Sequence, residues 1–177
     1  IPDGLRSSPG SHYYIIQAKA PWKLEWRDQI EFVGATTYDY LPNNAFVVKA
    51  DTLAIQKIIE MPFVRWIGQY HPAYRISTNL DGAAGAGMVQ VMTFDRTDVG
   101  RVVKAVNKLG GEIVGFSDSS IKGLLGRVQA VVDAKGIPEL AKIEGVSFVE
   151  PYQMPTIVND QARKVTQNYA TMTETVG

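Results

Sequence analysis

The chain has 177 residues, 45% of them hydrophobic and 20% charged, a composition that supports one packed domain or two small ones and argues against disorder. Eighteen basic residues balance eighteen acidic ones, so no strong net field draws the protein to nucleic acid or an anionic membrane. Cysteine is absent, which excludes disulfides, thiolate catalysis and cysteine-type zinc sites. No run approaches the roughly 20 apolar residues that cross a bilayer, and "IPDGLRSSPGS" lacks the apolar centre of a signal peptide.

"YYIIQA" at 13 to 18 reads as a strand. "WKLEWRDQIEFVG" then places Trp22, Trp26, Ile30 and Val33 at helical spacing before a stopping Gly34. "ATTYDY" and "AFVVKA" predict two strands joined by the turn residues "LPNN". Asp51 is placed to cap a helix "TLAIQKIIEM" with Leu53, Ile55, Ile58 and Ile59 inward, and "FVRWIGQ" resumes strand character. The order is β, α, β, β, α, β.

"TNLDGAAGAG" has no periodicity and reads as part of a linker. Beyond it "MVQVMTF" predicts a strand, and "DVGRVVKAVNKLG" a helix with Val99, Val102, Val106 and Leu109 inward and Gly110 as its stop. After a longer hairpin, a constant offset aligns Phe46, Val48, Ala50 and Asp51 with Val128, Ala130, Val132 and Asp133. The same offset continues through Ile58 and Leu140, Val64 and Val146, Trp66 and Phe148, Ile67 and Val149, and Tyr70 and Tyr152. The module is therefore repeated.

The expected fold class is α+β: two tandem ferredoxin-like βαββαβ modules, each a four-stranded antiparallel sheet with two helices on one face. The expected layout is an extension at 1–11, modules at 12–75 and 88–152, a Gly/Ala-rich linker at 76–87 and an extended tail at 153–177. A sheet in so small a module keeps one face free, and a partner surface is its natural cover.

Catalytic patterns fail one by one. His12 and His71 show no metal-ligand spacing and read as surface residues, and the serines have no G-x-S-x-G context. "DGAAGAG" is not a G-x-G-x-x-G phosphate cradle, and the basic surface and paired aromatics of an RNA-binding sheet are missing. An acylphosphatase-like arginine after the first strand is missing too, since "AKAPWK" offers only lysines. The three tryptophans fit core and inter-module packing better than a ligand cage. No metal or cofactor is expected.

"NAFVVKAD", "MPFVRWIGQYHPAY", "GVSFVEPYQMP" and "NDQAR" together resemble the N-terminal prosequence of secreted subtilisin-like serine proteases, especially those with two tandem ferredoxin-like propeptide modules. The resemblance covers roughly residues 12 to 165. It implies an intramolecular chaperone and inhibitor of the cognate catalytic domain, secreted or extracytoplasmic, keeping a zymogen inactive. The Asp-Thr-Gly, His-Gly-Thr and Gly-Thr-Ser-x-Ala segments of the protease are absent here, so the chain itself is expected not to be an enzyme.

The resemblance further implies that the sheet packs on two surface helices of the protease, with Glu150 facing their N-termini and Tyr152 standing where many relatives carry a second acid. The first module has Gly68 at the place of Glu150. Pro155, Thr156, Ile157 and Val158 would lie in the protease cleft as an added strand, and the candidate cleavage bond joins Val158 to Asn159, where the Asn-Asp-x-Ala-Arg pattern begins. An alternative reading is a tandem ferredoxin-like module that senses small molecules, amino acids above all. A third gives the first module only a structural or adhesive part within a larger secreted protein.

Overall fold

The computed structural model describes residues 1–117 and 124–153. Two βαββαβ units follow one another. The first comprises β1 (Tyr13–Ala18), α1 (Leu24–Phe32), β2 (Thr36–Leu41), β3 (Ala45–Lys49), α2 (Thr52–Ile59) and β4 (Val64–Gln69). The second comprises β5 (Ala86–Thr93), α3 (Val99–Lys108), β6 (Glu112–Phe116), β7 (Gly126–Asp133), α4 (Ile137–Ala141) and β8 (Val146–Pro151). Their sheets run β2-β3-β1-β4 and β6-β7-β5-β8, all antiparallel. The expected α+β class with two ferredoxin-like modules is thus the observed one.

Local chemistry repeats with the topology. Gly34 and Gly110 follow α1 and α3 with φ of 99° and 73°, the left-handed conformation that ends a helix at no Cβ penalty. Asp51 Oδ1 accepts from the Ala54 amide at 2.7 Å at the start of α2, and Asp133 Oδ1 accepts from the Lys135 amide at 2.9 Å in the turn before α4. Register slips where β1 meets β4, between Gln17 and Ala18, and where β5 meets β8, between Met92 and Thr93.

Each sheet buries one face against its helices. Ile16, Ile30, Val48 and Ile58 are fully buried in the first core, as are Val91, Val102, Val106 and Leu140 in the second. The phase of α2 differs from the expectation: Ala54 and Ile58 point inward, whereas Leu53 and Ile59 are 68% and 63% exposed. Capping by Asp51 starts an eight-residue helix in one phase, and only one i, i+4 pair of that phase meets the sheet. Leu109 is 39% exposed instead of buried, because it follows the last turn of α3.

The stretch expected to be a linker over 76–87 divides in two. Short 3-10 turns occupy Pro72–Arg75 and Thr78–Leu80. Between them Ile76 forms a parallel bridge with Val149, the Ser77 amide donates to the Val149 carbonyl at 2.9 Å, and Ile76 and Leu80 pack on the second core. After Leu80 the chain turns through Gly82 and Gly85, with φ of 74° and 71°, the Gly85 carbonyl accepts from the Ala134 amide at 2.8 Å, and residues 86–87 already belong to β5.

Candidate functional site

The two modules are bonded to each other, and the bonds converge on the outward face of the first sheet. Phe94, at the end of β5, inserts there: its ring stacks on Tyr13 at 4.8 Å between centroids and leans on Tyr38 at 4.6 Å. Tyr13, Val47, Tyr70 and Phe94 are all buried in this third cluster. The Tyr70 hydroxyl donates to the Ser147 carbonyl at 3.0 Å. Burial pushes the Tyr70 hydroxyl up to about 12, a shift that the Arg75 cation opposes and the Asp39 carboxylate reinforces.

Arg75 is the latch between the modules. Its guanidinium is only 2% exposed and donates to the carbonyls of Tyr70 at 3.0 Å, Ala141 at 3.3 Å and Ile143 at 3.2 Å. It also lies over the rings of Tyr13 and Tyr70. Burial pulls its pKa down from the ordinary arginine value, yet an arginine keeps its charge throughout the physiological range. A planar fork reaching three backbone oxygens fixes angle as well as distance, as a point-charge lysine would not.

The outward faces of the two sheets carry different chemistry at equivalent positions. In the first sheet, Val47 pairs with Ile15 and Ile15 with Gly68. In the second, Gln129 pairs with Gln90 and Gln90 with Glu150. Gln90 Nε2 donates to Glu150 Oε1 at 3.0 Å, and Gln129 Nε2 donates to Gln90 Oε1 at 3.4 Å, so a polar ladder crosses the second sheet where the first is apolar.

One row away stand the equivalent aromatics, Trp66 opposite Gln17 and Phe148 opposite Met92. One row on the other side, the Tyr70 amide bonds the Tyr13 carbonyl and the Tyr152 amide bonds the Met88 carbonyl, each at 2.9 Å. The Trp66 indole lies flat across Gly68, where an added Cβ would collide with the ring. A glycine at that position seats the tryptophan. Trp22 and Trp26 instead pack on the first core, Trp26 stacked on Phe63 at 4.8 Å.

Between the modules opens a cleft of about 650 Å3. Ile15, Leu41, Val47 and Trp66 form its floor on the first sheet, and Met92 and Phe148 its far wall on the second. Among the described residues Asp39 is the one charged side chain in its lining.

Of the residues singled out from sequence, Glu150 and Tyr152 sit on the last strand of the second sheet and just past it, both half-buried. Glu150 is held by Gln90. Pro155, Thr156, Ile157, Val158 and Asn159 lie outside the described residues, as does the Asn-Asp-x-Ala-Arg pattern. His12 is exposed, and His71 Nδ1 accepts from the Ser7 amide at 2.9 Å. Burial and nearby cations lower the His71 pKa, which keeps that acceptor available.

Sequence reasoning missed Gln90, Gln129 and Arg75. The repeat alignment carried a signal for Gln129, since the offset that matches Val48 with Ala130 also sets Val47 against Gln129. Among the described residues no group of three or more histidines or acids is placed to hold a metal, and no helix is long and apolar enough to cross a membrane.

The class these features define is a tandem ferredoxin-like α+β protein with two chemically distinct outward faces, and among the described residues no catalytic-domain fold accompanies the two modules. Residues 3–71, which span the first module, match a family described as a domain of unknown function (DUF8729). No curated protein matches the chain at a significant level.

Proposed function

We propose that the chain is the propeptide of a subtilisin-like serine endopeptidase, acting as intramolecular chaperone and inhibitor of a secreted catalytic domain. The observation that carries this reading is Glu150: a half-buried carboxylate oriented by Gln90 on the open face of the second sheet, at the end of the last strand. A carboxylate there suits the N-terminus of a partner helix, where unpaired amides and the helix dipole favour negative charge by about 0.3 to 2 kcal/mol. Phe148 and Tyr152 flank it on the same strand line with apolar area to bury.

The resemblance of the quoted sequence segments supports the same reading, since it implies a cleft-lying tail after this strand that would end at the Val158–Asn159 bond. Amino-acid sensing finds less support. A bound amino acid presents a carboxylate as well as an amine, and among the described residues no basic side chain lines the inter-module cleft.

The test adds the purified chain to its catalytic domain during assay and during refolding, with mass spectrometry of the products. Slow-binding inhibition, faster recovery of activity and a new end at Val158 are expected. Absence of both inhibition and refolding assistance overturns the proposal.

A further inference from the structure

The inter-module cleft is chemically one-sided. Its volume, about 650 Å3, lies within the range of small-molecule sites, and its position between two bonded modules is where such sites recur. Aromatic rings of Trp66, Tyr74 and Phe148 line it, with Met92 as a soft, polarizable neighbour. Asp39 supplies a negative charge at the lining, and among the described residues it forms no ion pair. Among the described residues no lysine, arginine or histidine lines the cleft.

We propose that this cleft binds a small organic cation, an ammonium head carried on an aromatic body. The apolar body replaces water over Ile15, Trp66 and Phe148, and the ammonium sits between the Asp39 carboxylate and the aromatic faces, which attract cations through their ring quadrupoles. An anionic ligand meets Asp39 with no compensating cation among the described lining residues. A neutral one fills the apolar volume and leaves the carboxylate unused.

Two details support a built site. Gly68 lets the Trp66 indole lie flat as a wall, where any side chain would displace it. The Arg75 latch and the Tyr70 to Ser147 bond fix the separation of the two walls, so the cleft is formed before a ligand arrives. Asp39 and Tyr70 line the same cleft although they lie far apart in sequence, which puts the carboxylate at the cleft. The inference does not rest on the propeptide reading, because no protease takes part in its test.

The whole chain is titrated with phenethylamine, and with phenethyl alcohol and phenylpropionate as neutral and anionic counterparts, by thermal shift and tryptophan emission. Phenethylamine is expected to stabilise the fold saturably and to bind about tenfold more tightly than the alcohol, the factor that one charge-assisted contact of about 1.4 kcal/mol supplies. Phenylpropionate should not bind. Asp39→Asn should erase the preference for the amine, and added salt should weaken it.

Trp66→Ala should abolish binding. Met92→Trp, which fills the cleft from the opposite wall and keeps Trp66, should do the same should the first variant unfold. Equal affinity for amine and alcohol, an amine affinity unchanged in Asp39→Asn, or no saturable effect at millimolar phenethylamine each overturns the proposal.

Discussion

The outward face of the first sheet carries Val47, Ile15 and Gly68 across three adjacent strands, and the second carries Gln129, Gln90 and Glu150 at the same places. On the inward faces the copies agree: Ile16 and Val91, Val48 and Ala130, Ile58 and Leu140 are all fully buried and apolar. Close packing constrains the inward positions in both copies alike. The outward positions answer to whatever covers them, and the two copies have different covers. The first face is partly closed by Phe94 and lined for apolar contact, whereas the second is left open with a polar ladder.

Breaking the latch that holds the faces in one frame should have the largest effect. Arg75→Met removes the guanidinium donor from the carbonyl oxygens of Tyr70, Ala141 and Ile143, of which that of Ile143 keeps the Val146 amide and that of Tyr70 the Ser7 hydroxyl. Even after the relief of removing a buried charge, a loss of about 2 to 4 kcal/mol is expected. Denaturant unfolding should change from one transition to two as the modules uncouple, checked by comparing tryptophan emission, whose three reporters all lie in the first module, with far-UV circular dichroism. A single transition at the wild-type midpoint would show that the latch carries no energy.

Converting the first face toward the second comes next. Val47→Gln puts an amide into an apolar cluster where the side chain is 1% exposed, at a cost of about 2 kcal/mol. The double change with Ile15→Gln rebuilds the cross-strand pair found between Gln129 and Gln90, so it should cost less than the two singles added together, by about 1 kcal/mol. Strict additivity in a double-mutant cycle would mean that the second face's ladder is not a transferable unit.

Much of this architecture is legible in the sequence, and the parts that are not have physical reasons. Alternating apolar residues, Gly34 and Gly110 as helix stops, and Asp51 and Asp133 as caps each act within a few residues, so they announce elements and the repeat. Leu53 and Ile59 were expected inside because a short helix shows its apolar residues without showing its phase. Arg75 carries no local signal, since its partners in the second module are backbone carbonyls far along the chain, and carbonyls leave no mark in sequence. Glu150 was found by resemblance, but its neighbours Gln90 and Gln129 needed the strand register.

A subtler change tests why the first copy has glycine where the second has glutamate. Gly68→Ala drives a Cβ into the Trp66 ring. Because that ring is half exposed, it swings aside instead of deforming the sheet, and the cost should be about 1 kcal/mol. The expected readout is a red shift of Trp66 emission, isolated in a Trp22→Phe, Trp26→Phe background, together with loss of phenethylamine binding. Unchanged emission would mean that Gly68 does not set the position of the indole.

Glu150→Gln should leave stability within about 0.5 kcal/mol, because the new side chain keeps an oxygen for Gln90 Nε2 and the site is only half-buried. The charge is gone while the shape and the ladder remain. If the second face meets a helix N-terminus of the protease, inhibition should weaken by about 2- to 30-fold, the span that corresponds to 0.3 to 2 kcal/mol of dipole interaction. The weakening should shrink as salt is added, as it must for a partly exposed charge. Undiminished inhibition by this variant would move the contact from the carboxylate to Phe148 and Tyr152, and the two outward faces would then differ in polarity without differing in how they bind.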